Sequence, residues 1–418
     1  MERALLVTLK LKRKKERWEP EEKAAELVQL VKSSGAEVVC EIIVARDAPS
    51  SAFFIGKGKA EEISFLCAEK NIDVVIFNND LTGTQQKNLD DILNVKTIDR
   101  TQLILDIFAR RARSNEGKIQ VELAQLLYLL PRLMGMGIFL SRPGGGIGTR
   151  GPGEQKLEID RRKIRDRITK LKNDMGKLSL QRSTRRKQRA KFSLLSIAIV
   201  GYTNSGKSTL LNVLAGSNIY AQDRLFSTLD PTVKSFLLPN NQKVLFADTV
   251  GFLNELPHHL IESFKATLEE VVNADVLLHL IDASNPKAKE MEKAVFDTLT
   301  ELDAEKKPMI TVLNKIDMLN ENEVKRLTRE FKDAIPISAL KRINFQALID
   351  RIVLHLGNIV KNYKIVLPQS KASLISLLHK NGRVLKREYH GENVHLEVQL
   401  PASLYEKIKK DIQMTGYL

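Results

Sequence analysis

Residues 194–209 read LLSIAIVGYTNSGKST: an apolar run, a glycine-bounded loop and a helix-forming stretch. No other feature of the chain restricts its fold as much. The loop fits G-x-x-x-x-G-K-[ST], which works only where a strand hands over to a helix in an α/β sheet. There the backbone N–H groups and the helix N-terminus cradle phosphate oxygens. The spacing predicts that Gly201, Tyr202, Thr203, Asn204, Ser205, Gly206, Lys207, Ser208 and Thr209 line a nucleotide's phosphates. Lys207 neutralises the β/γ oxygens, and the Ser208 hydroxyl ligates Mg²⁺.

Three further segments follow at spacings that a nucleotide switch requires. VLFADTVG ends an apolar run in Asp248, Thr249, Val250 and Gly251. Asp248 is placed to hold the metal through water, and the Gly251 N–H to reach a γ-phosphate. TVLNKID supplies Asn314, Lys315, Ile316 and Asp317. A carboxylate here accepts from both N1 and N2 of guanine, a pair adenine lacks, so Asp317 selects the base. Ser338, Ala339 and Leu340 close over the base through their backbone. Between the phosphate loop and Asp248 lies FSTLDPT, in which Phe226, Ser227, Thr228, Leu229 and Asp230 form a first switch. Thr228 is the expected Mg²⁺ ligand beside Ser208 and Asp248, with Thr232 the alternative. Lys207, Thr228 and Gly251 are the expected catalytic residues. The order implies a GTP-binding domain and leaves little room for an adenine-specific ATPase.

Two positions depart from the Ras pattern. Phe252 follows Gly251 where Ras-like proteins carry the Gln that orients the attacking water. An apolar side chain cannot do that, so intrinsic hydrolysis is expected to be slow. Asn204 stands mid-loop. In some translation-factor-related GTPases an Asn here helps hold K⁺; otherwise it is a loop asparagine.

The chain carries a net charge of +15, and its distribution is uneven. Residues 156–191 hold fifteen Lys/Arg against four Asp/Glu, residues 110–155 seven against three, and the remainder is net neutral. A positive excess confined to 82 consecutive residues suggests a polyanionic partner rather than a solubilising surface. The same segment changes periodicity. Ile119, Leu123, Leu126, Leu130 and Leu133 share a helical seam, as do Ile164, Ile168, Leu171, Met175 and Leu178. Matched seams imply an antiparallel hairpin, or else two helices packed on separate neighbours. Between them, Gly135 to Gly153 holds eight of the 22 glycines. A tip with Arg142, Gly144, Gly145, Gly146 and Arg150 can approach a phosphate chain closely, or serve as a linker.

The expected fold class is α/β. Residues 1–113 form a small N-terminal α/β domain with a partly parallel sheet, from strands in 4–9, 37–44 and 73–77 and helices in 20–33, 57–69 and 82–93. Residues 114–192 form the basic hairpin with its tip (135–153) and a connector (182–191). Residues 193–361 form a P-loop GTPase domain with a Rossmann-like parallel sheet, and 362–418 a small α+β domain. Two cysteines exclude a disulfide framework and a cysteine-rich zinc site. No apolar run spans a bilayer, and the N-terminal stretch reads as a strand rather than a signal peptide. A cytoplasmic monomer is expected.

Five segments resemble the HflX family of GTPases: EGKIQVELAQLLY (116–128), SRPGGGIGTRGPGEQKLEIDRR (141–162), GYTNSGKST (201–209), FSTLDPT (226–232) and DTVGF (248–252). The resemblance implies a GTPase that binds the large ribosomal subunit (50S, 23S rRNA) and separates stalled or idle 70S ribosomes, particularly under stress. It implies that the GTP form binds, that hydrolysis to GDP promotes release, and that the N-terminal and helical region reaches toward the peptidyl-transferase centre. A 50S assembly or storage factor is the alternative; a regulator on acidic lipid is disfavoured by a hairpin without Trp/Phe anchors. Some family members bind ATP through the N-terminal region. IGKGKAEEI (55–63) lacks the phosphate-loop pattern, so no ATP site is assigned. Pro143 stands where a polar residue is expected.

Overall fold

The computed structural model describes residues 1–12, 18–140, 152–191, 195–216, 232–240, 242–254, 257, 268–371, 374–376, 378, 383–401 and 405. Among these, Met1–Leu178 form one compact unit, and almost all residues from Ser179 onward form a second.

The first unit begins with β1 (Arg3–Leu11), α1 (Pro20–Ser34), β2 (Glu37–Arg46), α2 (Lys57–Glu69), β3 (Val74–Phe77), α3 (Gly83–Leu93), β4 (Lys96–Asp99) and α4 (Arg100–Arg111). The strands pair in the order β2-β1-β3-β4, and every pairing is parallel. The sheet is thus wholly rather than partly parallel. β1 and β3 are internal strands covered on both faces, which is why they read as continuous apolar runs instead of alternating. Leu5, Val7, Ile63, Val75, Phe77 and Leu89 form the centre of the core. β4, KTID, has no such signature.

Two long helices follow, α5 (Asn115–Leu140) and α6 (Pro152–Lys191). Leu123, Ile168 and Leu171 are buried together, flanked by Ile119, Leu126, Leu130, Ile164 and Met175. The two seams therefore face each other. Polar contacts give their sense: Arg167 donates to Glu122 through Nε (2.6 Å) and Nη2 (2.8 Å), and Arg161 donates to the Leu133 carbonyl (2.9 Å). As α6 advances its partners recede along α5, so the hairpin is antiparallel. At its ends Leu133 and Leu178 are only half-buried.

Two expectations are corrected. α5 runs on through Gly135 and Gly137 to Leu140, and α6 starts at Pro152, so the loop is shorter than 135–153. A glycine weakens a helix by about 1 kcal/mol without ending it, and proline suits a first helical position. Residues 182–191 are the last turns of α6, not a separate connector. Arg142, Pro143, Gly144, Gly145, Gly146 and Arg150 lie outside the described residues.

A buried polar cluster ties α5 to the end of the N-terminal sheet. Asp99, which ends β4, is completely buried. It accepts from Tyr128 Oη (2.8 Å) and Arg132 Nη2 (2.7 Å) of α5, and from the backbone N–H groups of Leu81 (3.1 Å) and Gln102 (2.9 Å). Arg132 lies over the Tyr128 ring, 3.3 Å from its centroid, and also donates to the Leu81 carbonyl. A Cβ on Gly83 would come within 2.9 Å of the Arg132 backbone. Only glycine lets α3 and α5 approach this closely.

The second unit contains β5 (Leu195–Gly201), α7 (Lys207–Leu214), β6 (Val233–Leu237), β7 (Lys243–Asp248), β8 (Val276–Asp282), α8 (Ala288–Glu301), β9 (Met309–Asn314), α9 (Glu321–Glu330), β10 (Ile335–Pro336) and α10 (Phe345–Ile359). Its sheet runs β10-β9-β8-β5-β7-β6, parallel except for β6 against β7. Ile197, Ile199, Leu278, Leu280 and Val312 are buried at its centre. The chain continues into an antiparallel sheet, β11-β13-β12, from β11 (Val360–Pro368), β12 (Arg383–His390) and β13 (Asn393–Pro401). One of its faces is closed by Ile375, Leu378 and a Tyr363–Tyr405 stack. Among the described residues no helix is long and apolar enough to cross a membrane.

The shared seam yields a prediction. Leu171→Ala should lower the opening free energy of the hairpin by about 2–4 kcal/mol. In native-state hydrogen exchange on the full chain, amides of both α5 and α6 should exchange faster. Acceleration confined to α6 would show that the helices pack independently.

Candidate nucleotide site

Parallel strands deliver loops to the carboxyl end of a sheet, and that is where the motifs converge. Gly201 ends β5, Asp248 ends β7, Asp282 ends β8, Asn314 ends β9, and Ser338 follows β10. The loop after β5 turns at Gly206 (φ +95°), where a Cβ would come within 2.3 Å of Asn314 Nδ2. Asn204 takes the left-handed conformation (φ 62°), which asparagine tolerates.

Lys207 opens α7 and folds back over its own loop. Its Nζ donates to the carbonyls of Gly201 (3.1 Å) and Tyr202 (2.7 Å). The ammonium is buried, which pulls its pKa down to about 8; Asp248 opposes this and Lys315 adds to it. The next residue, Ser208, donates from Oγ to Asp248 Oδ2 (2.7 Å), and Asp248 is only 1% exposed. A hydroxyl beside a carboxylate at a phosphate loop is a hard-oxygen set suited to Mg²⁺. Among the described residues no group of three or more His, Cys, Asp or Glu side chains can hold a metal by itself.

The segment after Asp248 is laced to the phosphate loop. Thr249 Oγ1 donates to the Ile199 carbonyl (2.7 Å). Phe252 N donates to Gly201 O (3.1 Å), Thr203 N donates to Phe252 O (2.8 Å), and Asn254 N donates to Tyr202 Oη (2.7 Å). Phe252 is 1% exposed, so its side chain is packed inward and its backbone does the bridging. Gly251 lies against the loop: a Cβ there would stand 2.8 Å from Thr203 Cγ2 and 3.0 Å from Lys207 Nζ.

On the base side, Asn314 joins two loops. Its Nδ2 donates to the Ser205 carbonyl (2.8 Å), and its Oδ1 accepts from Ala339 N (2.9 Å). Lys315 (φ 65°) pairs with Asp282 (2.7 Å). Asp317 lies 3.9 Å from Lys341 Nζ. Ile316 donates its N–H to the Ile337 carbonyl. Ser338 is fully buried and caps the turn by accepting from Lys341 N, while Leu340 is 76% exposed. The carboxylate of Asp317 and the Ala339–Leu340 backbone together offer the acceptors and donors that a guanine edge requires.

Gly201, Tyr202, Thr203, Asn204, Ser205, Gly206, Lys207 and Ser208 thus meet Asp248–Gly251 and Asn314–Asp317 at one end of one sheet. Thr209 lies in the first turn of α7. Phe226, Ser227, Thr228, Leu229 and Asp230 lie outside the described residues. Thr232, the alternative metal ligand, is exposed, and its carbonyl accepts from Asp248 N (2.9 Å). Sequence reasoning missed Asp282 and Lys341. The position of Asp282 after the apolar run VLLHLI, at a strand's carboxyl end, was the available signal for the first; nothing in the sequence pointed to the second.

The buried ammonium gives a pH prediction. Below about pH 8 Lys207 is charged and fully attracts phosphate; above it, binding must recharge the group. Guanine-nucleotide affinity should be flat from pH 7 to 7.5 and fall toward tenfold per pH unit as pH rises from 8 to 9. Fluorescent-GDP titrations read this directly, and an affinity constant to pH 9 would overturn it.

Comparison with known proteins gives the same picture. Residues 21–109, 111–189 and 196–315 match family models described as GTP-binding GTPase N-terminal, GTP-binding GTPase middle region and 50S ribosome-binding GTPase. GTPase HflX of Caldanaerobacter subterraneus subsp. tengcongensis is 45% identical over 94% of this chain and 91% of its own. GTPase HflX of Escherichia coli is 39% identical over 94% and 93% respectively. A solved GTP-binding protein from Sulfolobus solfataricus in complex with GDP shares 27% identity, covering 85% of this chain and 98% of its own, at a TM-score of 0.45. Relatives of this identity, aligned across nearly the whole chain, show that it belongs to the HflX family of GTPases and that its chemistry is GTP hydrolysis.

Proposed function

We propose that this GTPase binds the large ribosomal subunit in its GTP form and dissociates 70S ribosomes, with hydrolysis driving release. The observation that carries the reading is the hairpin. All the net charge of the chain falls between residues 110 and 191, and the α6 face away from the seam exposes Arg162, Lys163, Arg165, Lys170, Lys172 and Lys177. A helix surface of this charge neutralises nucleic-acid phosphates and releases their counterions. Arg142, Gly144, Gly145, Gly146 and Arg150 meet rRNA at the tip. The matched family description, 50S ribosome-binding GTPase, supports the partner.

At the nucleotide, Lys207 and the 201–209 backbone hold the phosphates, and Asp317 reads guanine beneath residues 338–340. Ser208, Thr228 and Asp248 serve Mg²⁺, and Asn204 serves K⁺. Thr228 and Gly251 sense the γ-phosphate, and the nucleotide state sets ribosome affinity. With Phe252 packed inward, hydrolysis is slow until the ribosome is bound. Cytoplasmic action as a monomer fits this role.

Sucrose-gradient profiles test the proposal. With a non-hydrolysable GTP analogue, 70S ribosomes should yield free subunits. Deleting 142–152 should abolish this while leaving GTP affinity intact. Unchanged 70S with the protein bound to 50S would replace it with an assembly or storage role. Hydrolysis should be faster in K⁺ than in Na⁺; equal rates would remove the K⁺ assignment.

A further inference from the structure

Hydrolysis needs a group to orient the attacking water, and Phe252 cannot provide one. A substitute would have to be a polar atom buried beside Gly251. Thr203 is 6% exposed, and its Oγ1 has no hydrogen-bond partner among the described residues. A buried hydroxyl left unsatisfied is costly to a folded protein, so its retention at this point calls for a ligand.

Its place is fixed from both sides. Thr203 N donates to the Phe252 carbonyl (2.8 Å). Its Cα and Cγ2 lie 2.9 and 2.8 Å from where a Cβ on Gly251 would stand, and Lys207 Nζ lies 3.0 Å from that point. The Thr203 side chain, Gly251 and the Lys207 ammonium therefore converge within a few ångströms. Gly251 and Lys207 are the groups expected at a γ-phosphate; the Thr203 Cγ2 methyl faces Gly251, and the hydroxyl, carried on the same Cβ, lies buried beside it at that end of the loop. Ser205 Oγ is also buried and without a partner, but it sits elsewhere. It lies 2.9 Å from a Cβ built on Gly201, at the base of the loop.

We propose that the Thr203 hydroxyl is a catalytic residue of GTP hydrolysis, meeting the γ-phosphate and the attacking water in place of a glutamine. A threonine hydroxyl has one donor and two acceptor sites. It donates to a γ-phosphate oxygen and accepts from the water, holding the water oxygen toward phosphorus. It is too weakly basic to take the proton. The water oxygen bonds to the γ-phosphorus, and the bond from phosphorus to the β–γ bridging oxygen breaks. Its electron pair leaves on GDP, and the water proton ends on the released phosphate.

The test is single-turnover hydrolysis and GDP affinity for Thr203→Val and Thr203→Ser in the full chain. Valine keeps the shape and removes the hydroxyl; serine keeps the hydroxyl. The valine variant should hydrolyse GTP about 10- to 100-fold more slowly, with GDP affinity within about twofold, because GDP has no γ-phosphate. Serine should restore most of the rate. A valine variant at the parental rate would overturn the proposal. So would losses of GDP affinity and rate in parallel, or a serine variant as slow as valine, since each marks a structural role for the side chain.

Discussion

One side-chain amide holds the nucleotide site together. Asn314 donates to the phosphate loop at Ser205 and accepts from the loop after β10 at Ala339. Both of its polar atoms are used in a buried position, so it works as a two-ended brace. Gly206 must be glycine because that amide occupies the space a Cβ would fill. Asn314 stands 109 residues from Ser205 and 25 from Ala339 along the chain. This amide makes them one rigid surface, preorganised before a ligand arrives.

Much of the site was legible because its elements are local. The phosphate loop, the Asp248–Gly251 segment and the Asn314–Asp317 segment each sit on a short run after an apolar strand, and the parallel sheet does the rest. The hairpin seam was legible for the same reason: helical periodicity repeats within each helix. What escaped was non-local or unperiodic. β4 is four residues, KTID, with a lysine at one end and a carboxylate at the other, too short and polar to show alternation. Asp99 and Arg132 are 33 residues apart, and neither looks buried in isolation. The pairing of Lys315 with Asp282, and of Asp317 with Lys341, depends on which strands neighbour one another. Phe252 was read as a lost glutamine; that its backbone would stitch two loops was invisible, since peptide hydrogen bonds carry no sequence label.

The distribution of charge follows a similar logic. The nucleotide site handles several negative charges with few basic residues, because burial and backbone N–H groups multiply the effect of each. Lys207 illustrates the cost: confined in the loop, it holds its proton less firmly than a surface lysine. A surface that meets a long polyanion works by number instead. In the role proposed for α6, its solvated lysines and arginines would contribute little each and much together, with a strong sensitivity to salt. The two modes occupy different stretches of the same chain.

The buried Asp99–Arg132 pair has a consequence for how the first unit comes apart. A paired carboxylate in the interior is tolerable only while its partner stays; losing the partner strands a charge at a cost of about 3–5 kcal/mol. Fraying of α5 back through Tyr128 would remove both the guanidinium and the phenol from Asp99. Helix ends normally open independently of the domain beneath them. Here the Asp99 contacts oppose that freedom: they tie the opening of α5 around Tyr128 and Arg132 to the edge of the parallel sheet, so the two stretches resist opening together.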